Sequence, residues 1–250
     1  MAVKHLLILG GTAEARELAR RVAITIPKKV RVTTSLAGRR AKAPALPGDV
    51  RIGGFGGIDG LVDYINENAV DLVIDATHPF SAIISDHANA AAEATGVPRL
   101  QLLRPLWQLP PTAEWIEVDD LTDAARDLPR FAKRVFLTTG VRGLEAFSGL
   151  DDIWFLVRLM DPPAEPPPLA QLELITGKPP YSFEDERAIL ADHNIDTLVT
   201  KNSGGDGTEA KVFAAAEAGV KIVLIRRPPP EPGPVAETVD DAFAWIESQV

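Results

Sequence analysis

Short apolar runs alternate with amphipathic stretches along the first part of the chain. The runs are rich in leucine, isoleucine and valine, as expected of strands buried within a sheet. They predict strands at 5–9, 30–34, 50–52, 71–75 and 99–102. The stretches between them have apolar residues at helical spacing and predict helices at 13–22, 58–66 and 80–95. Since parallel strands need crossover connections, this alternation predicts a parallel sheet flanked by helices.

A proline-rich segment at 104–111 interrupts this alternation and is interpreted as a linker. Beyond it, strands are predicted at 115–118, 134–138, 153–159, 173–175, 197–200 and 221–225. Helices are predicted at 120–127, 142–147, 183–193, 209–218 and 239–248. The predicted fold class is therefore α/β, with two Rossmann-like domains of largely parallel sheets and a ligand-binding cleft between them. The domains are 1–104, which binds the nucleotide, and 112–250; a crossing of the final helix or a terminal strand to the other domain is left open.

Composition limits the chemistry of this fold. The chain has 250 residues, no cysteine and a formal net charge of −9. Disulfides, thiolate nucleophiles and Cys-ligated metals are excluded, so any redox chemistry needs a bound organic cofactor. The acidic balance argues against nucleic-acid binding, and no apolar stretch approaches the roughly 20 residues of a membrane span. Because no secretory signal precedes the first strand and the four histidines lack metal-ligand spacing, we expect a cytoplasmic protein without a metal site.

The turn Gly10-Gly11-Thr12 joins the first strand to the first helix. Glycines at this place let a phosphate approach backbone N–H groups at the positive end of a helix, and Thr12 offers a hydroxyl. The complete G-x-G-x-x-G pattern is absent. The alternative is a tight strand–helix turn in which Thr12 is only a helix cap.

The loop after the second strand contains Ser35, Arg39, Arg40 and Lys42 but no acidic residue. In dinucleotide-binding folds an acidic residue here selects an unphosphorylated ribose, whereas arginine accommodates a 2′-phosphate. The loop therefore favours NADP(H) over NAD(H), with Ser35 and Arg39 as contacts. The alternative is a solvated basic loop.

The sequence Asp-Ala-Thr-His-Pro-Phe follows the fourth strand at 75–80. Thr77 is a candidate cofactor contact, and His78 is a candidate proton donor because its imidazole titrates near neutral pH. The alternative gives these residues structural roles before the next helix, whose first turn Pro79 favours.

Two segments of the second half also follow strands. Thr139 and Gly140 belong to a turn similar to the first glycine turn, and Arg142 follows it. The segment 199–211 combines glycines with cations, hydroxyls and an amide, a mixture that suits an anionic ligand. Its candidate contacts are Lys201, Asn202, Ser203, Gly204 and Lys211. The alternatives are a flexible surface loop and, for Lys211, a solvated helix residue.

Several common motifs are missing. The chain has no G-x-x-x-x-G-K-[ST] of P-loop NTPases and no G-x-S-x-G of serine hydrolases. The fourth residues after Tyr64 and Tyr181 are Asn68 and Asp185, so the Tyr-x-x-x-Lys pair of short-chain dehydrogenases is absent. This counts against the commonest nucleotide-dependent epimerases, although an epimerase or transferase remains one alternative. A dinucleotide-sensing module without enzymatic activity is another.

Five segments in order along the chain resemble the precorrin-6A reductase family. They are Leu-Gly-Gly-Thr-Ala-Glu-Ala-Arg at 9–16, Asp-Ala-Thr-His-Pro-Phe at 75–80, Thr-Thr-Gly at 138–140, Pro-Pro-Tyr at 179–181 and Thr-Lys-Asn-Ser-Gly-Gly at 200–205. The resemblance implies a two-domain Rossmann-like enzyme of cobalamin biosynthesis that reduces precorrin-6A to precorrin-6B with NADPH. A related enzyme of the anaerobic pathway reduces the cobalt-containing ring and has a similar sequence.

With this resemblance, the candidate residues take provisional roles. His78, Lys201 and Ser203 are the expected catalytic residues. The expected cofactor contacts are Gly10, Gly11, Thr12, Ser35, Arg39, Thr77, Thr139 and Gly140. The expected contacts of the polycarboxylate corrinoid are Arg16, Arg142, Lys201, Asn202, Ser203, Gly204 and Lys211. The sequence leaves the oligomeric state and the identity of the proton donor open.

Overall fold

The computed structural model describes residues 2–37 and 46–250. Its strands are β1 (Lys4–Leu9), β2 (Val30–Leu36), β3 (Asp49–Ile52), β4 (Leu72–Asp75), β5 (Arg99–Leu102), β6 (Trp115–Val118), β7 (Arg134–Leu137), β8 (Trp154–Leu159), β9 (Leu172–Thr176), β10 (Thr197–Lys201), β11 (Lys221–Ile225) and β12 (Val235–Ala236). Its α-helices are α1 (Ala13–Thr25), α2 (Ile58–Glu67), α3 (Ala82–Thr95), α4 (Leu121–Asp127), α5 (Phe183–Asp192), α6 (Ala210–Glu217) and α7 (Val239–Ser248). Short 3₁₀ helices occur at Leu128–Arg130, Leu144–Phe147 and Asp206–Thr208.

The chain divides into two compact units, which we call the first and the second unit. The first comprises Met1–Arg104 together with Pro228–Val250, and the second comprises Pro105–Arg227. Each contains a six-stranded sheet in which all neighbouring strands are parallel. The predicted α/β class with two parallel sheets is therefore confirmed.

The first sheet has the order β12-β5-β4-β1-β2-β3. Successive side chains of β1 point to opposite faces: Leu6 packs into a core with α1 and α7, and Leu7 packs into another with α2 and α3. Burial on both faces explains why β1 is a continuous apolar run. Leu9 is in register with Ser35 on one side and Asp75 on the other, so the carboxyl ends of β1, β2 and β4 lie side by side.

The second sheet has the order β6-β11-β10-β7-β8-β9. Phe136, Leu198 and Leu224 lie in one fully buried core with residues of α5 and α6. Val199 is in register with Leu137, which brings the residues after β7 and those at the end of β10 to the same edge. Two of the segments singled out in the sequence thus meet at the carboxyl edge of this sheet.

The structure differs from the predicted domain boundaries at the C-terminal end. Pro228–Val250 lies in the first unit, where β12 pairs with β5 and α7 contacts α1. Arg99 and Gln101 of β5 hold this returning segment through the Pro232 carbonyl and the backbone of Pro234 and Glu231. β12 has only two residues and follows a proline-rich segment. It is too short to show the alternation of apolar and polar residues that predicts a strand.

The predicted helix at 142–147 is also different in the structure. Only the 3₁₀ helix Leu144–Phe147 forms there, following Gly143 in a left-handed conformation at φ 86°. A left-handed residue cannot lie inside a right-handed helix, so the backbone at Gly143 prevents a start at Arg142.

Candidate functional site

The turn after β1 is open on its outer side. The Gly10 N–H donates to the Ser35 carbonyl at 2.9 Å, which ties the turn to β2. Gly11 has φ +121°, which disfavours any residue with a side chain, and a Cβ there would have no atom within 4 Å. The backbone before α1 is therefore accessible to a bulky anion such as a phosphate.

Thr12 has the structural role that was the alternative to phosphate contact. Its buried hydroxyl accepts from the Ala15 N–H at 3.1 Å and donates to the Ala76 carbonyl at 2.8 Å. A hydroxyl has one proton, and this contact uses it. Thr12 caps α1 and ties it to the segment after β4, so a phosphate here would be bound by backbone N–H groups.

Asp75 fixes the turn that follows β4. Its buried carboxylate accepts from the Thr77 N–H at 3.1 Å and the Thr77 hydroxyl at 2.7 Å, and Gln101 donates to its other oxygen at 3.4 Å. The Thr77 hydroxyl proton is thus also engaged inside the protein. Thr77 can still contribute its hydroxyl oxygen as an acceptor.

Thr77 lines a small depression of the first unit. The other lining residues are Thr12, Glu14, Pro79, Leu102 and Arg104. Arg104 donates through one nitrogen to both carboxylate oxygens of Glu14 at 3.1 Å. The sequence analysis did not identify Arg104, because it lies at the start of a proline-rich segment interpreted as a linker.

His78 is exposed on the loop between β4 and α3. Its Nδ1 accepts from the Phe80 N–H at 3.2 Å, which assigns the proton of the neutral imidazole to Nε2. The imidazole lies 6.0 Å from the half-buried Phe80 ring, centroid to centroid. His78 is therefore an exposed imidazole beside an aromatic ring.

The ends of β2 and β3 follow that of β1 along the carboxyl edge of the first sheet. Ser35 is buried, and Arg51 of β3 donates to its hydroxyl at 3.3 Å. Arg39 lies outside the described residues, as do Arg40 and Lys42. Arg51 was missed in the sequence because it lies within a predicted strand. Arg16, the remaining candidate of the first unit, is half-buried in α1.

In the second unit, Lys201 at the end of β10 crosses to the segment after β7. Its ammonium donates to the Thr139 carbonyl at 2.9 Å. Burial, and secondarily the positive charge of Arg142, lower the pKa of Lys201. A partly desolvated cation of this kind binds an anion more strongly than an exposed lysine does, because water screens the pair less. Gly140 and Arg142, which follow Thr139, are exposed.

Two polar atoms beside Lys201 are buried and unsatisfied. Within residues 2–37 and 46–250, the Thr139 hydroxyl and the Asn202 side-chain carbonyl have no hydrogen-bond partner. The two residues are 5% and 7% exposed. Because a buried polar group without a partner is costly, these atoms indicate a bound ligand or water at this edge.

The loop 202–208 is fixed by the second unit. Gly204 has φ +64°, and a Cβ there would lie 1.9 Å from the Pro105 carbonyl oxygen. Arg227 donates to the Asn202 and Ser203 carbonyls at 3.3 and 2.9 Å, and the Trp107 indole donates to the Gly205 carbonyl at 2.8 Å. The loop is thus held on several sides, unlike a flexible surface loop.

Lys211 of α6 contacts the loop 202–208. It is 4% exposed, donates to the Thr208 carbonyl at 2.7 Å and lies 4.8 Å from the centre of the Trp107 ring. The structure thus places Lys211 in the protein interior, where it is not a solvated helix residue. Ser203 is buried, and its N–H donates to the Lys201 carbonyl at 2.7 Å.

The candidate residues therefore form two sets, one at the carboxyl edge of each sheet. Across the described residues, no group of three or more histidine, aspartate or glutamate side chains could hold a metal ion. Across the same residues, no helix combines the length and apolarity needed to cross a membrane.

Comparison with known proteins gives consistent matches over nearly the whole chain. The family model described as "Precorrin-6x reductase CbiJ/CobK" matches residues 5–247. A precorrin-6A reductase of Rhodococcus erythropolis is 48% identical over 247 residues, which cover 97% of each chain. A cobalt-precorrin-6A reductase of Salmonella typhimurium is 30% identical over 90% of this chain and 88% of its own. A solved structure titled "CobK precorrin-6A reductase" is 38% identical, with a TM-score of 0.92 over 99% of this chain and 97% of that one. These matches confirm the resemblance seen in the sequence.

Proposed function

The chain belongs to the precorrin-6x reductase family of cobalamin-biosynthesis oxidoreductases, and on that premise we propose that it reduces precorrin-6A to precorrin-6B with NADPH. The observation that carries the cofactor part is the open backbone at Gly11, in the turn between β1 and α1. The reaction adds a hydride and a proton to the ring and leaves NADP⁺. A chain without cysteine needs such an organic donor, and the nicotinamide supplies the hydride when bound.

The first unit binds the cofactor in this proposal. Backbone N–H groups at Gly11 and the start of α1 hold the pyrophosphate, at the positive end of the helix. Ser35, with Arg39 of the neighbouring loop, contacts the adenosine ribose and its 2′-phosphate. Thr12 and Thr77 shape this surface, since their hydroxyl protons are engaged by Ala76 and Asp75.

The second unit supplies the cations for a corrinoid that carries many carboxylates. Lys201 is the principal contact, because its ammonium is positioned by the Thr139 carbonyl and partly removed from water. Arg142 adds an exposed positive charge on the same edge. The unsatisfied Thr139 hydroxyl and Asn202 carbonyl accept hydrogen bonds from ligand N–H groups. Local cations thus bind an anionic ring to a protein whose net charge is −9.

Four further candidates keep narrower roles. His78 donates the proton from its protonated imidazolium form, and the resulting neutral imidazole regains a proton from solvent. Ser203 and Gly204 shape the binding loop beside Lys201, and Lys211 positions that loop from within the protein. Catalysis then depends mainly on orienting the nicotinamide against one ring carbon.

The proposed substrate is the cobalt-free ring. The supporting observation is that the chain is 48% identical to a precorrin-6A reductase and 30% identical to a cobalt-precorrin-6A reductase. Reduction of the cobalt-containing ring is the second candidate, and turnover of the two rings side by side distinguishes them.

Titration with reduced cofactors tests the first half of the proposal. We expect NADPH to bind at least about tenfold more tightly than NADH, because charge-assisted hydrogen bonds to a phosphate contribute about 1.5–3 kcal/mol. Isothermal titration calorimetry measures both dissociation constants on the same preparation. Equal affinity for the two cofactors, or binding of neither, contradicts NADPH dependence.

A further inference from the structure

Arg51 lies on β3, the strand that neighbours Ser35 in the first sheet. The two residues are in register on neighbouring parallel strands, β2 and β3. Ser35 in turn accepts a backbone hydrogen bond from Gly10 of the open turn. Gly10, Ser35 and Arg51 therefore follow one another along the carboxyl edge of the sheet, in the order β1, β2, β3.

The protein holds the Arg51 guanidinium in one orientation. One of its terminal nitrogens, Nη1, donates to the Gly53 carbonyl at 2.6 Å and the Ser35 hydroxyl at 3.3 Å, and Nη2 donates to the Gly54 carbonyl at 2.8 Å. The guanidinium carbon lies 3.8 Å from the centre of the Phe55 ring and 5.3 Å from that of Tyr64. These two rings support each other edge to face at 5.2 Å. An arginine positioned in this way loses little side-chain entropy when it binds a ligand.

Within the described part of the chain, Arg51 forms no ion pair with a carboxylate, whereas Arg104 and Arg158 each do. Its contacts are with neutral oxygens and aromatic rings. A guanidinium has five N–H groups, and the three hydrogen bonds leave the Nε–H and one Nη2–H for a ligand. The half-buried side chain thus retains its positive charge and two donors.

We infer that Arg51 recognises the 2′-phosphate of the adenosine ribose and thereby sets the preference for NADPH over NADH. The inference rests on the proposed function, which places the pyrophosphate at Gly11 and the ribose at Ser35. A ribose beside Ser35 has β3 as its neighbour along the edge, and Arg51 is the residue of β3 in register with Ser35. The guanidinium fork matches phosphate geometry, and its π-face is already stacked on Phe55.

The test measures the dissociation constants of NADPH and NADH by calorimetry for Arg51→Ala, Arg51→Gln and the unchanged protein. We expect both variants to bind NADPH about tenfold or more weakly and NADH within about twofold of the unchanged protein. Arg51→Gln keeps side-chain N–H donors but removes the charge and the guanidinium fork. Arg20→Ala, an exposed arginine of α1, is the matched control and is expected to change neither constant.

The outcomes separate this inference from the function on which it rests. If the unchanged protein shows no preference for NADPH, the proposed cofactor specificity fails and Arg51 has no role in it. If the unchanged protein prefers NADPH and both variants retain the preference, only the role of Arg51 is overturned. An equal loss of both cofactors also overturns it, since that result assigns Arg51 to loop structure instead of phosphate recognition.

Discussion

Replacing Lys201 with methionine is expected to lower kcat/KM for precorrin-6A by about 100-fold or more, while the Kd for NADPH stays within about threefold. Methionine has a similar length but no charge, so the substitution removes the ammonium that the Thr139 carbonyl positions. The expected loss follows from removing one partner of a partly desolvated charge pair, which typically costs 2–5 kcal/mol. Steady-state kinetics give the first quantity and calorimetry the second.

Lys133→Met is the matched control, because Lys133 is exposed and precedes β7 at the opposite edge of the same sheet. It is expected to retain full activity.

The pH dependence of corrinoid binding provides a second readout, which a purely structural role of Lys201 would not produce. Since burial and Arg142 lower the pKa of Lys201, corrinoid affinity should decline with rising pH before an exposed lysine, with a pKa near about 10.4, would deprotonate. Unchanged kcat/KM in a folded Lys201→Met variant would exclude this role of Lys201.

Removing one member of the buried pair Arg158–Glu186 is expected to destabilise the second unit by about 3–5 kcal/mol. Arg158 of β8 and Glu186 of α5 are separated by 2.8 Å, Nη1 to Oε1, and their side chains are 5% and 0% exposed. They form a close ion pair without good hydrogen-bond alignment. Tyr181 covers the guanidinium at 3.8 Å, and burial raises the pKa of its phenol. Arg158→Met would leave the Glu186 carboxylate buried without a countercharge.

Denaturant unfolding of the second-unit transition measures this effect. The double variant Arg158→Met with Glu186→Leu should recover most of the loss, since an apolar replacement of a buried pair is often neutral. Arg187→Met, which removes an exposed pair with Glu217, is the control and should cost less than about 1 kcal/mol. A loss below about 1 kcal/mol in Arg158→Met would contradict the structural role of the pair.

Local pattern was sufficient to predict much of the fold. The run before Gly10 is apolar because β1 is buried on both faces, and the same reason applies to β7 and β11. Register follows from parallel pairing, which places Leu9 beside Ser35 and Val199 beside Leu137 near the carboxyl edges of the two sheets. β12 pairs with β5, and these two short strands are far apart in the sequence. No repeating pattern of apolar residues predicts this pairing.

The candidate site was harder to predict, because function there depends on which hydrogen bonds the fold has already used. Thr12 and Thr77 have the residue type of a phosphate contact, yet their protons are engaged by Ala76 and Asp75. Arg51 has the pattern of an ordinary strand residue, and only its register with Ser35 reveals its position. Lys211 was ambiguous because its burial depends on Trp107, more than a hundred residues earlier.

Hydride transfer from NADPH to the corrinoid is the central claim, and deuterium transfer tests it most directly. The protein is incubated with precorrin-6A and NADPH carrying two deuterium atoms at C4 of the nicotinamide, and the product is analysed by mass spectrometry. The expected result is one NADPH oxidised for each ring reduced and one deuterium in each product molecule, with the added proton coming from solvent. A folded protein that oxidises no NADPH, or that forms reduced product without deuterium, would contradict the claim.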